Sequence, residues 1–202
     1  MSGTPRSERL SDLPFGEVLA RVAARTPAPG GGTTAALVCS LAAALVEMAA
    51  GFEAGPQAEE RRARAAAMGS RALELADADL TSYEPVLQAL RRPAGDAERA
   101  AALAAALSEA AGTPMGIAEL GAEVAALAQG AADAGSRHLL GDCATAALLA
   151  EGACRAAAVL VEINLHGTTD PRRTEAQALV RAADVSGRHV QSRACMEADV
   201  DG

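Results

Sequence analysis

Alanine makes up about a quarter of this 202-residue chain, far above the usual share in a globular protein. Half of the residues are hydrophobic, yet only Phe15, Phe52 and Tyr83 are aromatic. Alanine has the highest helix propensity, whereas the aromatic and β-branched residues that strands favour are scarce. The composition therefore predicts an all-α fold with enough apolar surface for a core, and it excludes a large β-sheet and wholesale disorder.

Glycine, proline and helix-capping residues divide the chain into about seven helices joined by short turns. The expected helices cover approximately residues 11–25, 33–50, 57–91, 96–111, 113–134, 142–165 and 171–195. Pro85 lies inside the third helix and predicts a kink or a local break there. No repeat and no long linker interrupts the pattern. We therefore expect a single-domain bundle over residues 11–195, with flexible ends at 1–10 and 196–202.

The alanine-rich helices also predict self-association. Alanine faces allow helix axes to approach closely, while the few large residues act as spacers. In the second helix, for example, Leu37, Leu41, Leu45 and Met48 share one stripe. A core of small residues gains less free energy per residue than one of leucine. Further burial between two copies would add stability, so we expect a homodimer.

The charge of the chain restricts its partners. The sequence has 26 acidic and 18 basic residues, for a net charge of −8, and every basic residue is arginine. An acidic chain without a basic run is not expected to bind nucleic acid or an anionic membrane. The lack of lysine excludes a lysine Schiff base and a P-loop. Arginine still binds carboxylates, so anionic small molecules remain possible ligands.

Cysteine usage and the N-terminus favour a cytoplasmic protein. The four cysteines, Cys39, Cys143, Cys154 and Cys195, show no C-x-x-C spacing, and we expect them to be buried and reduced. The first 12 residues are polar and lack the apolar region of a secretory signal. The apolar run 33–46 is about 14 residues long, shorter than the roughly 20 that a membrane span needs.

The strongest local motif is the segment Pro27-Ala28-Pro29-Gly30-Gly31-Gly32-Thr33 at the start of the second helix. Three glycines before a helix N-terminus can present free backbone N–H groups to an anion, helped by the helix dipole. The alternative is a tight turn followed by an ordinary threonine cap.

Two acidic positions stand out. Asp77 and Asp79 lie about 200° apart on a helix, so they do not form a carboxylate pair, but Asp79 shares a face with Tyr83. Asp142 lies where a helix N-terminus is expected and can act as its cap. Asp142 is also four residues from His138, a spacing that two metal ligands can have. Because His138, His166 and His189 are widely separated along the chain, we expect no metal site.

These motifs together resemble the cyclodeaminase/cyclohydrolase family, which comprises the C-terminal domain of formiminotransferase-cyclodeaminase and stand-alone methenyltetrahydrofolate cyclohydrolases. The resemblance spans roughly residues 10–185. Its first motif is the proline-glycine segment with the later Ala-Leu-Val-Glu-Met, and its second is Asp77-Ala-Asp79 with Tyr83 and Leu90-Arg-Arg-Pro93. Its third comprises Gly135, Asp142 and Ile163-Asn164-Leu165.

The resemblance implies an all-α, usually dimeric enzyme that makes or opens the 5,10-methenyl bridge of tetrahydrofolate. A tetrahydrofolate derivative would be its substrate, with no metal. We expect Asp142, at a helix start beside the most apolar helix, to be the main acid/base, and Asp79 to assist it or position the substrate. The expected substrate-binding residues are Pro29, Gly30, Gly31, Gly32, Thr33, Tyr83, Ser136 and Asn164.

Two positions depart from the family pattern. Ser136 and Leu160 stand where the family usually has asparagine. A site that has lost two amides discriminates differently among substrates. These departures keep an alternative open: a diverged, catalytically silent helical dimer that binds a small molecule or a partner protein.

Overall fold

The computed structural model describes residues 9–135 and 137–199, and this part of the chain is entirely helical. It contains eight α-helices and two short 3-10 turns, at Leu10–Asp12 and Arg137–Leu139. The helices are α1 (Phe15–Val22), α2 (Gly31–Ala50), α3 (Pro56–Ser82), α4 (Glu84–Arg91), α5 (Arg99–Ala110), α6 (Gly112–Ala134), α7 (Leu140–Asn164) and α8 (Arg172–Asp199). The all-α bundle predicted from composition is confirmed.

Five long helices, α2, α3, α6, α7 and α8, enclose one core. Helix α7 packs against α2, α6 and α8, while α3 covers the other side of α2 and touches α6. Alanine dominates the buried positions, because small side chains let these helices lie close together. A second, smaller cluster joins α4 to α5 and is separate from the main core.

The buried side of α2 is its alanine side and not its leucine stripe. Ala36, Cys39 and Ala43 are fully buried, whereas Leu41 is 53% exposed and Met48 also faces outward. Close helix packing excludes the large side chains from the contact and leaves them at the edge or on the outside. The surface of this bundle therefore carries apolar residues that its core does not use.

Helix boundaries follow the proline and glycine signals, with shifts of a few residues. The predicted helix 57–91 is interrupted at Tyr83, and Pro85 becomes the second residue of α4, which raises the count from about seven to eight. The first predicted helix is reduced to a 3-10 turn and the short α1. The last helix continues beyond residue 195 to Asp199.

The starts of three helices differ in their caps. The Asp170 carboxylate accepts a hydrogen bond from the Arg172 backbone N–H at 3.0 Å and caps α8. No side chain caps α6, where Ala111 keeps helical geometry and the helix begins at Gly112. Asp142 does not cap α7 either: it is the third residue of the helix, and no side chain caps its start.

Two helical stretches, Gly31–Ala50 and Arg137–Asn164, satisfy the length and composition of a membrane span. About half of each apolar window is buried against other helices, 50% and 44% respectively, as in the core helices of a bundle. Helix α2 is longer than its apolar run because the glycines at its start are helical as well.

Three of the four cysteines are buried within this core, and all four are free thiols. Burial raises the pKa of Cys39 to about 12 and the pKa of Cys143 and Cys154 to about 11. These three are protonated and inert at neutral pH. Cys195, in contrast to the prediction, is exposed, because it lies on the outer side of α8 near its end.

Candidate active site

A cavity of about 400 Å³ opens where α2 begins and where α3 and α7 end. The glycine segment forms one wall, the ends of α3 and α7 form the floor, and α4 forms the opposite rim. The side chains that border it include Asp79, Tyr83, Glu84, Arg91, Leu160, Ile163 and Asn164. The cavity therefore collects residues from four separate segments of the chain.

Asp79 holds the first turn of α2 in place. Its Oδ2 accepts a hydrogen bond from the Thr33 backbone N–H at 2.6 Å and another from the Thr33 hydroxyl at 2.8 Å. Thr33 is completely buried, while Asp79 is half-buried and borders the cavity. The residue before the helix is Gly30, which has no side chain to cap it, so a carboxylate from α3 supplies the missing acceptor.

Gly32 is required by the close approach of that carboxylate. A Cβ at this position would lie 2.2 Å from Asp79 Oδ1. At Gly31, in contrast, the nearest atom to an added Cβ is Leu160 Cδ1 at 4.0 Å, and the space beyond belongs to the cavity. Positive φ occurs only at Gly55 and Gly167 among the described residues. Gly32 thus serves the close approach of Asp79 at the helix N-terminus, and none of the three glycines has a left-handed backbone.

The backbone N–H groups of Gly31 and Gly32 remain available at the cavity wall. Both belong to the first turn of α2, whose N–H groups have no partner within the helix. In residues 9–135 and 137–199 no side chain or backbone group accepts a hydrogen bond from either one. Two free donors beside the positive end of a helix dipole form a binding site for an anion or a carbonyl oxygen.

The two aspartates of the second motif point in opposite directions, as their spacing predicted. Asp77 points away from the cavity, where its carboxylate accepts hydrogen bonds from the Leu10 backbone N–H at 2.9 Å and from Arg9 Nε at 3.1 Å. It fastens the N-terminal segment to α3. Asp79 and Tyr83 share the other face and both border the cavity.

Glu84 and Arg91 of the cavity rim were not predicted from the sequence. They are seven residues apart on α4, with Oε1 of Glu84 3.8 Å from Nη1 of Arg91. The sequence signal was available, because residues seven apart lie on one helical face. The direction of this face of α4 depends on the break at Tyr83. One continuous helix over 57–91 would direct the face elsewhere.

Asp142 lies at the far end of α7 from this cavity. It precedes Asn164, the last residue of the helix, by 22 residues, which corresponds to about 33 Å of helical rise. Pro29 borders a separate groove behind the glycine segment, and Ser136 lies outside the described residues. The structure thus brings Gly30, Gly31, Gly32, Thr33, Asp79, Tyr83 and Asn164 to one place, without Asp142 or Pro29 on the cavity wall.

The end of the bundle that contains Asp142 has a buried ion pair. The Glu53 carboxylate and the Arg61 guanidinium bind each other, with only 10% and 13% of their side-chain surfaces exposed. The pair lies close to Cys143 at the start of α7. Burial is the main cause of the raised pKa of Cys143, and the negative charges of Glu53 and Asp142 raise it further. Oε2 of Glu53 is thus paired with Arg61, whereas its Oε1 is buried without a hydrogen-bond partner among the described residues.

No group of three histidine, cysteine, aspartate or glutamate side chains is arranged to hold a metal ion in the part of the chain that the structure describes.

Comparisons with known proteins agree on one family. The family model for formiminotransferase-cyclodeaminase matches residues 14–182. The mouse formimidoyltransferase-cyclodeaminase is 30% identical over 175 residues, which are 81% of this chain but only 32% of the mouse protein. This chain thus spans about a third of that relative's length.

The crystal structure of formiminotetrahydrofolate cyclodeaminase from Thermotoga maritima superposes with a TM-score of 0.76 at 27% identity. The match covers 91% of this chain and 94% of the Thermotoga chain, so the likeness extends over the whole bundle. With a family model matching most of its length, this chain belongs to the formiminotransferase-cyclodeaminase family.

Proposed function

We propose that this protein is a folate one-carbon enzyme that converts 5-formiminotetrahydrofolate into 5,10-methenyltetrahydrofolate and ammonia. Family membership and the Thermotoga cyclodeaminase structure support this reaction. The observation that carries the proposal is the position of Asp79. It is a half-buried carboxylate at a cavity wall, held by neutral donors and flanked by two free backbone N–H groups.

The charge of the reacting group suits this carboxylate. A formimino group on N5 is an amidine that is protonated near neutral pH, and the methenyl product is also a cation. A carboxylate stabilises both, and more strongly in a cavity than in water. Because the Thr33 donors are neutral, they fix the position of Asp79 without cancelling its charge.

One carboxylate is sufficient for the proton transfers. The N10 lone pair attacks the formimino carbon, and Asp79 accepts the proton that N10 loses. The tetrahedral carbon then carries N5, N10 and an amino group. Asp79 returns the same proton to that amino group, the carbon–nitrogen bond breaks, and ammonia leaves as the N5 lone pair forms the methenyl bridge. Substrate and methenyl product each carry one positive charge, the tetrahedral intermediate is neutral while Asp79 holds the proton, and the summed charge of ligand and Asp79 is the same at every step.

The remaining cavity groups position the folate. The free N–H groups of Gly31 and Gly32 suit a carbonyl oxygen of the pterin ring. Tyr83 and Asn164 add side-chain donors and acceptors at the cavity wall. Leu160 makes the wall opposite Gly31 apolar, so this part of the site favours the hydrocarbon face of a ring over a polar substituent.

This assignment exchanges the expected functions of the two aspartates. The sequence favoured Asp142 as the main acid/base and Asp79 as its assistant. The geometry supports Asp79, because Asp142 lies 22 residues before the cavity end of α7 at Asn164 and does not border the cavity. We therefore propose Asp79 as the group that exchanges the proton.

The direct test is an absorbance assay for the methenyl product, run with purified protein and 5-formiminotetrahydrofolate and paired with ammonia detection. We expect equal amounts of methenyl product and ammonia. Running the assay from methenyltetrahydrofolate, with and without ammonia, separates this reaction from hydrolysis to the formyl compound. A protein that binds 5-formyltetrahydrofolate in calorimetry but yields neither product would be the silent binder of the alternative hypothesis.

We also propose that the protein is a homodimer. The exposed apolar residues of the bundle support this, because isolated large side chains on several helices provide a surface for a second copy. They include Phe15, Leu19, Leu41, Phe52, Val159 and Ile163. Light scattering should give twice the chain mass of 20.3 kDa at micromolar concentration, and a constant monomer mass would exclude the dimer.

A further inference from the structure

The rim of the cavity contains one cation. Arg91 is the only positively charged side chain among the described residues that border this cavity. Neighbouring arginines have other partners: Arg92 faces Asp96, and Arg99 donates a hydrogen bond to the Leu90 carbonyl oxygen at 3.2 Å. Arg91 is therefore the group at the rim that an anionic part of a ligand would meet.

The existing partner of Arg91 is weakly bound. Its guanidinium is 3.8 Å from the Glu84 carboxylate, and the two side chains are 72% and 52% exposed. Ion pairs with this exposure contribute little stability, because water screens them and holding two long side chains costs entropy. A ligand carboxylate that binds both guanidinium nitrogens can replace Glu84 at small cost.

Arg91 is the last residue of α4 and Glu84 is the first. The seven residues between their positions correspond to about 10 Å of helical rise away from the break that ends α3. In the binding mode considered, the pterin lies beside Asp79 and Gly31 and the aminobenzoyl group extends along α4. The glutamate carboxylates, the only anionic groups of the molecule, then reach the rim.

The segment that carries Arg91 has a small core of its own. Helix α4 packs mainly against α5, and their shared cluster consists of Val86, Ala89, Ala106 and Ala110. Helix α5 is held on the bundle, because Ser108 accepts hydrogen bonds from Arg172 of α8 at 2.9 Å and 2.8 Å. These contacts fix the hairpin, and with it the backbone of Arg91, beside the cavity.

We infer that Arg91 is the specificity-determining residue that binds the glutamate carboxylate of the folate substrate. This inference rests on the proposed function. Arg91 acts on binding at a distance from the reacting carbon, so its removal weakens the substrate and transition-state complexes equally.

The test measures KM and kcat of wild type, Arg91→Gln and Arg91→Lys with two substrates. One is 5-formiminotetrahydrofolate, and the other is its analogue in which a primary amide replaces the glutamate, so that no carboxylate remains. With the first substrate, Arg91→Gln should raise KM at least about tenfold with kcat within about twofold, and Arg91→Lys should raise it less. With the amide analogue, all three proteins should have the same KM.

Arg71→Gln is the matched control, because Arg71 is an exposed arginine of α3 paired with Glu74 and does not border the cavity. It should leave both KM values unchanged. An unchanged KM for Arg91→Gln, or an equal rise with both substrates, would overturn the inference while leaving the proposed function intact.

Calorimetry with 5-formyltetrahydrofolate separates the remaining outcomes. If the wild type binds this ligand but does not convert 5-formiminotetrahydrofolate, the proposed reaction fails. The ratio of the Kd values of wild type and Arg91→Gln then still decides the function of Arg91. If the wild type does not bind it at all, both proposals fail.

Discussion

A carboxylate from another part of the chain lies close to each end of helix α7, and the two carboxylates have different partners. At the Asn164 end, Asp79 accepts hydrogen bonds from neutral donors of Thr33 and faces an open cavity. At the Asp142 end, Glu53 is buried against the guanidinium of Arg61. The charge of a carboxylate paired with arginine is offset, whereas a carboxylate fixed by neutral donors keeps its charge available for a ligand. From this difference we propose that the chemistry takes place at the first end and that the ion pair at the second is structural.

The largest expected effect comes from replacing Asp79 with asparagine. Asp79→Asn should lower kcat by about 10²- to 10⁴-fold, the usual loss when a general acid/base is removed. An asparagine oxygen still accepts the Thr33 N–H bond, so circular dichroism and Tm should remain close to wild type.

Asp142→Asn is the matched control for this substitution, because it makes the same chemical change at the other end of α7. Its kcat and KM should stay within about threefold of wild type, the range of an exposed or half-exposed surface change. If Asp142→Asn lost the activity and Asp79→Asn kept it, the assignment of the two ends would be reversed.

The buried ion pair gives the largest expected effect on stability. Glu53→Gln leaves the Arg61 charge buried without its counter-ion, so the free energy of unfolding should fall by about 3 kcal/mol. Urea denaturation measures this loss. The exposed pair Arg71–Glu74 is the control, and Glu74→Gln should change stability by less than about 1 kcal/mol. A Glu53→Gln protein of normal stability with a raised KM would place a ligand site at this end.

The adjacent glycines at the cavity should respond differently to alanine. In Gly32→Ala the new Cβ would lie 2.2 Å from Asp79 Oδ1, so it must displace the carboxylate, with a loss of about 1–3 kcal/mol in stability and most of the activity.

Gly31→Ala has room for its Cβ and helical backbone geometry, so its Tm should equal or exceed that of wild type. Its affinity for 5-formyltetrahydrofolate in calorimetry should fall, because the methyl group occupies the space beside the free N–H groups. Unchanged affinity would show that the ligand does not approach this turn.

The smallest expected effect is a pH dependence at the start of α8. Hydrogen bonds from the side chain and backbone of Arg172 lower the pKa of Asp170 from 3.8 to about 2. A folded-state pKa below the unfolded value stabilises the protein above about pH 4, and this stabilisation is lost as the pH falls toward 2. The Tm difference between wild type and Asp170→Asn should therefore shrink over this interval. A constant difference would contradict the ion pair.

The sequence was sufficient for the fold class and for part of the site. Alanine content predicted the bundle, the proline-glycine segment predicted the N-terminus of α2, and the 200° between Asp77 and Asp79 predicted their opposite directions. These features depend on local propensity and helical periodicity, which a single sequence contains.

The sequence could not supply the tertiary relations between helices. The function of Asp142 depended on which end of α7 meets the glycine segment, and periodicity carries no such information. The rim residues Glu84 and Arg91 depended on the direction that α4 takes after the break at Tyr83. The leucine stripe of α2 is divided, with Leu37 and Leu45 packed at the edge of the core and Leu41 and Met48 exposed, because the buried face of this helix is mainly alanine.

The central claim is that folate binds at the first turn of α2, and amide hydrogen exchange tests it most directly. The exchange rates of the Gly31 and Gly32 amides should fall by at least about tenfold with saturating 5-formyltetrahydrofolate, because their N–H groups become hydrogen bonded. Amides at the start of α7, from Leu140 to Cys143, should exchange at the same rate with and without ligand. Protection at the start of α7 with none at Gly31 and Gly32 would contradict the account.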